Sequence, residues 1–71
     1  MPEPKFLLGA NVRLGVDTLG SIPKDMEGKI VQIDNILPFD EVHEAFYYDV
    51  HLLIADMTAC IHEDYIETTV I

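Results

Sequence analysis

Hydrophobic and polar residues alternate along this chain in short bursts, and nowhere at sustained helical spacing. Val12 and Leu14 flank Arg13; Tyr48, Val50, Leu52 and Ile54 share one parity, and Tyr47, Asp49, His51 and Leu53 the other. Ala59 and Ile61 alternate with Cys60 and His62. A period of two sends successive side chains to opposite faces of a strand, so these runs predict strands with Val12, Leu14, Tyr48, Val50, Leu52, Ile54, Ala59 and Ile61 on the core side. Gly28 opens a further strand over 28–33. Its Ile30 and Ile33 are three apart, and a bulge or a corner bend would turn both inward. Residues 15–27, with Gly20, Ser21 and Pro23, predict a long loop. Pro38 and the polar Asp40, Glu41, His43 and Glu44 argue against a strand over 37–46. That segment is expected as an ordered acidic loop, with a short helical turn as the alternative. A tight turn at Ala55-Asp56 reverses the chain, and 63–66 forms one helical turn that tucks Ile66 under the core. The β-branched run 68–71 supplies the last strand. Pro2 and Pro4 leave 1–5 as a flexible tip, and 6–71 forms one domain. The expected fold is all-β, a small five-stranded barrel with a short helical turn before the last strand.

Size narrows where a site can lie. A chain of 71 residues buries only roughly 60–65% of its unfolded surface, which leaves little room for an interior ligand pocket. A hydrophobic fraction of 49% and a mean hydropathy of +0.20 exceed what so small a core absorbs, so apolar surface is expected to meet another protein or another copy. Thirteen acidic residues against four basic ones, a formal charge of −9, repel phosphates and anionic lipids. Direct nucleic-acid or membrane binding is therefore not expected, whereas a partner with a basic surface is. The longest nearly uncharged stretch, 50–61, contains His51 and Asp56 and falls short of the roughly 20 residues a membrane span needs. One cysteine excludes an internal disulfide, and Met1-Pro2-Glu3-Pro4-Lys5 has no secretory pattern; a reducing, cytoplasmic setting is expected.

The order of elements resembles the SH3-like small barrels across about residues 9–70. The matching residues are a short strand after Gly9, a long first loop, Gly28-Lys29-Ile30-Val31 entering a bent second strand, Tyr48-Asp49-Val50, and Glu63-Asp64-Tyr65-Ile66-Glu67 before the final strand. The likeness is to the KOW and photosystem-accessory-subunit barrels more than to the signalling type, whose proline-peptide groove includes tryptophan. This chain has no tryptophan and no Ala-Leu-Tyr-Asp-Tyr run. The basic surfaces through which KOW domains meet nucleic acid are contradicted by the charge. Because many functions share such barrels, the resemblance implies a fold and leaves function to the residues.

Two groups of residues carry candidate chemistry. With a two-residue turn at Ala55-Asp56, His51 would stand opposite Cys60 and Asp49 opposite His62, about 5 Å apart at their roots. Thiolate, two imidazoles and a carboxylate at that spacing form a possible zinc site, Asp49, His51, Cys60 and His62; the plainer alternative is the solvated face of a hairpin. Cys60 beside His62 is a poor nucleophile, because Glu63 and Asp64 would raise the thiol pKa. The second group is Phe39, Asp40, Glu41, Glu44, Phe46, Tyr47 and Asp49, aromatic rings among carboxylates, suited to a basic partner or to an arginine or methyl-lysine side chain.

The expected function is that of a non-enzymatic protein-interaction module or small accessory subunit, with no cofactor, acting through this acidic, aromatic loop and strand. The alternatives are an acidic inhibitor that occupies a partner's nucleic-acid groove, or a metal-binding or oligomeric-pore enzyme. Homo-oligomerisation is a further expectation, with the apolar run Thr69-Val70-Ile71 as the pairing edge.

Overall fold

The computed structural model describes residues 2–16 and 22–70. They form one five-stranded antiparallel sheet: β1 (Asn11–Leu14), β2 (Ile30–Ile36), β3 (Tyr47–Leu52), β4 (Met57–His62) and β5 (Ile66–Thr69), in the order β4-β3-β2-β1-β5. Two short 3-10 turns, Lys24–Met26 and Glu63–Tyr65, are the only helical elements among the described residues. The two edge strands are consecutive in the chain and are joined by the second of these turns, so the sheet curls at that corner. Among the described residues no ladder joins β4 to β5. Among the described residues no helix is long and apolar enough to cross a membrane.

The core follows from the period-two pattern. Val12 and Leu14 on β1, Val31 and Ile33 on β2, Tyr48 and Val50 on β3, and Ile61 on β4 are all buried. Ile66 is buried as well and opens β5, two residues before the strand start at Thr68 that the β-branched run indicates. Ile71 lies outside the described residues. Phe6 packs edge-on against Tyr48, ring centres 5.7 Å apart, and the Lys5 amide donates to a Glu63 carboxylate oxygen at 3.1 Å. The packed chain thus begins at Lys5, within the segment expected as a tip.

Four expectations are corrected. Ile30 points outward and is 45% exposed, because Val31 and Ile33 keep strict alternation on the inner face. The bulge exists, but it falls at Asp34: Ile33 pairs with Val50 and Asn35 with Asp49, so one extra β2 residue is squeezed out there. Ile54 is 96% exposed and not in the core, since β3 ends at Leu52. The β3–β4 connection is a four-residue turn over 53–56 closed by Leu52 opposite Met57, with Asp56 at φ 52°, a left-handed conformation that aspartate tolerates. This register sets Tyr48 against Ile61 and Val50 against Ala59 on the core face.

The first long loop contributes more than turn chemistry. Ile22 and Met26 from it are fully buried, Met26 from the 3-10 turn that Pro23 introduces. Gly28 then takes φ +69°, a conformation that favours glycine, and delivers the chain into β2. Residues 17–21 of this loop lie outside the described residues.

Candidate functional site

The outward face of β3 carries Tyr47, Asp49 and His51, and that of β4 Thr58, Cys60 and His62, the faces that parity indicates. Their pairing is shifted by two residues from the one a two-residue turn requires. Tyr47 stands opposite His62, Asp49 opposite Cys60 and His51 opposite Thr58. The supposed zinc set is therefore spread over three rungs of the ladder, and its imidazoles are engaged elsewhere. His51 Nδ1 lies 2.7 Å from the carboxylate of Asp34, the bulge residue, and His62 Nδ1 accepts the Asp64 amide at 3.0 Å. Among the described residues no three His, Cys, Asp or Glu side chains converge as a metal site would require.

The loop between β2 and β3 is ordered, as expected, by a bridge between Asp40 and Ala45. Asp40 organises it from within: its carboxylate accepts the Val42 amide at 2.9 Å and the His43 amide at 3.3 Å, and lies 2.7 Å from His43 Nδ1. The hydrogen bond with His43, reinforced by the two backbone amides, holds the Asp40 carboxyl below its ordinary range. Glu41 and Glu44 are exposed, Glu44 at φ 52°. Phe46 is buried, which corrects its assignment to the contact surface; it packs edge-on against the half-buried Phe39 at 5.1 Å and anchors the loop to the core.

Tyr47 does reach the surface, and it heads a feature that the linear pattern conceals. His43 packs on Tyr47 at 6.0 Å, Tyr47 on His62 at 5.1 Å and His62 on Tyr65 at 5.7 Å. Four rings from the acidic loop, β3, β4 and the second 3-10 turn form one row. The Tyr47–His62 contact depends on the ladder register, and Tyr65 joins only because the turn begins immediately after β4. The single sequence signal was the shared outward parity of Tyr47 and His62.

Charge is segregated along the chain. Residues 30–71 hold nine carboxylates and no lysine or arginine, whereas residues 1–29 hold four of each. The whole net charge thus belongs to β2, the acidic loop and the strands that follow. Beside the row, Asp34, Asn35, Asp49, Thr58, Ala59 and Cys60 line a shallow depression of about 440 Å³.

Partial burial, and secondarily the nearby Asp49 carboxylate, push the Cys60 thiol above its ordinary value. The direction matches the sequence expectation, although the responsible acid is the cross-strand Asp49 and neither Glu63 nor Asp64. Alkylation of Cys60 by iodoacetamide is expected to be slower than that of an unperturbed thiol at neutral pH and to keep accelerating above pH 9.0, the ordinary value. An Asp49→Asn variant should react faster; equal rates would remove the electrostatic contribution.

These features define a class: a small all-β unit with one acidic, ring-bearing outer face. No protein-family model, curated protein or solved structure matches the chain.

Proposed function

We propose that this chain is a non-enzymatic binding module of the SH3-like small-barrel kind, an adaptor or small accessory subunit that engages a basic protein partner. The observation that carries this reading is the coincidence of the ring row with the exclusively acidic part of the chain. Rings supply apolar contact area and faces that attract cations, and the carboxylates of this part of the chain steer a basic surface onto them. Asp49 is the next outward residue of β3 after Tyr47, Glu41 and Glu44 are exposed on the loop that carries His43, and Phe39 packs with Phe46 in the same loop. The candidate reactive groups fit binding better than catalysis: the thiol is biased toward its protonated form, and the histidines contact carboxylates or an amide. A single free cysteine suits a reducing, cytoplasmic setting.

The test is an NMR titration of the isotope-labelled protein with an arginine-rich peptide at about 0.15 M salt, where exposed charges are screened beyond about 8 Å. Shifts centred on Tyr47, His62 and Tyr65 are expected, with Tyr47→Ala weakening binding by roughly thirtyfold, as for a central aromatic contact. Shifts spread evenly over all carboxylates, or absent, would overturn the reading. If duplex DNA competes for a natural basic partner, the acidic-inhibitor form of the same reading is favoured.

A further inference from the structure

The sheet has two edges, and they are not protected alike. Exposed edges are ordinarily blunted by lysine, proline, inward charge, short length or a bulge, because unpaired backbone groups invite another strand. At one edge, β5 is four residues long, includes Glu67, and follows a register irregularity at Arg13/Leu14. At the other, β4 runs for six residues, Met57-Thr58-Ala59-Cys60-Ile61-His62, with no lysine, proline or carboxylate. Its pairing with β3 proceeds from Leu52↔Met57 to Tyr47↔His62 without a bulge.

The free backbone groups can be assigned. The Glu63 amide donates to the Phe46 carbonyl at 3.0 Å, one step beyond the Tyr47↔His62 pair. Hydrogen-bonded and non-hydrogen-bonded pairs alternate in an antiparallel ladder, so Ile61, Ala59 and Met57 bond to β3. Thr58 and Cys60 therefore turn their N–H and C=O groups to the open side. Among the described residues, no backbone hydrogen bond from outside the sheet reaches them.

We infer that the β4 edge is a strand-addition site for an extended segment of the basic partner, whose backbone pairs with Thr58 and Cys60. Charge complementarity selects this occupant. An added strand lies about 4.8 Å from β4 and roughly 10 Å from β3, so its outward side chains lean across Cys60 toward Asp49 and the depression that Asp34 shares. Lysine or arginine at alternate positions meets carboxylates there, while apolar residues between them meet the half-buried Met57 and Ala59. A second copy of this chain would bring its own −9 charge to the same edge, which opposes pairing between copies.

This inference rests on the proposed binding of a basic partner and adds where and in what conformation it binds. The experiment is amide hydrogen exchange of the full chain with a short peptide of alternating arginine and valine, and with the matching glutamate-valine peptide as control. Protection of the Thr58 and Cys60 amides by the arginine peptide alone is expected. Asp49→Asn should weaken that binding roughly two- to fivefold, the range of an exposed ion pair. Cys60→Pro should abolish the protection while keeping the β3 ladder, because the lost N–H faces outward; the Asp49→Asn result stands even if that variant folds poorly. Shifts at Tyr47 and Tyr65 with Thr58 and Cys60 unprotected would overturn strand addition and leave the ring row as the interface. Silence at both would overturn both readings. Protection that appears without peptide and grows with protein concentration would give the edge to a second copy and overturn the inference.

Discussion

Replacing Tyr48 by alanine is expected to lower unfolding stability by about 3–5 kcal/mol, the cost of deleting a large buried aromatic side chain. Tyr48 is fully buried at the middle of the sheet, paired with Ile36 on β2 and Ile61 on β4 and capped edge-on by Phe6. A chain of this length has a total stability on the order of 4–10 kcal/mol at the usual value per residue, so the loss removes roughly a third of that stability or more. Urea denaturation of Tyr48→Ala beside Val42→Ala measures it. Val42 is 87% exposed, and its truncation should change stability by no more than about 0.5 kcal/mol. A Tyr48→Ala loss as small as that control would mean that the core is not organised around this residue.

The second large effect belongs to Glu63. One oxygen of its carboxylate accepts both the Tyr48 hydroxyl and the Lys5 amide, and its own amide closes the β3–β4 ladder on Phe46. Glu63→Ala leaves the hydroxyl of a buried tyrosine without its acceptor and releases the N-terminal segment. A loss of about 2–3 kcal/mol is expected, and less for Glu63→Gln, which keeps an acceptor oxygen. Burial, and after it the hydrogen bond to Glu63, push the Tyr48 pKa up to about 12 from 10.0. The folded state then holds this proton more tightly than the unfolded chain does. Its contribution to stability is complete below pH 10 and declines as pH rises from 10 through about 12. The alkaline limb of the stability curve should accordingly be shallower in Tyr48→Phe than in the parent; identical limbs would show that another group governs it.

The same residues show why part of the fold was legible and part was not. The alternation of Tyr48, Val50, Ala59 and Ile61 reports which side of a strand meets the core, and parity survives a shift of register by two. For that reason parity alone places Asp49, His51, Cys60 and His62 on the outer face, whereas their pairing differs by two residues from that of a two-residue turn. Turn length decides the pairing, and Leu53, Ile54, Ala55 and Asp56 contain no Asn-Gly or similar pair that would impose a two-residue turn. The bulge was likewise inferable in kind from the spacing of Ile30 and Ile33. Its place was not, because Val31 offered an equally apolar inward residue that kept the pleat regular.

For the candidate site, the aromatic and acidic residues could be named from the sequence, but their division into anchors and contacts could not. Phe39 and Phe46 look alike in the chain as possible contacts, and packing buries Phe46 while leaving Phe39 half exposed. Ile22 and Met26 belong to the core but sit singly in a loop, with no periodic neighbours to mark an inward face.

By itself the amino-acid sequence determined the all-β class, the inner and outer faces of the strands, the short turn before the last strand and the acidity of residues 30–71, since each depends on local periodicity or on simple charge. The tertiary structure alone decided the ladder register, the row His43-Tyr47-His62-Tyr65, the engagement of His51 by Asp34 and, among the described residues, the unpaired β4 edge. Each of these depends on which strand lies beside which and at what offset, and that is settled by the burial of Tyr48 and its neighbours across segments distant in the chain.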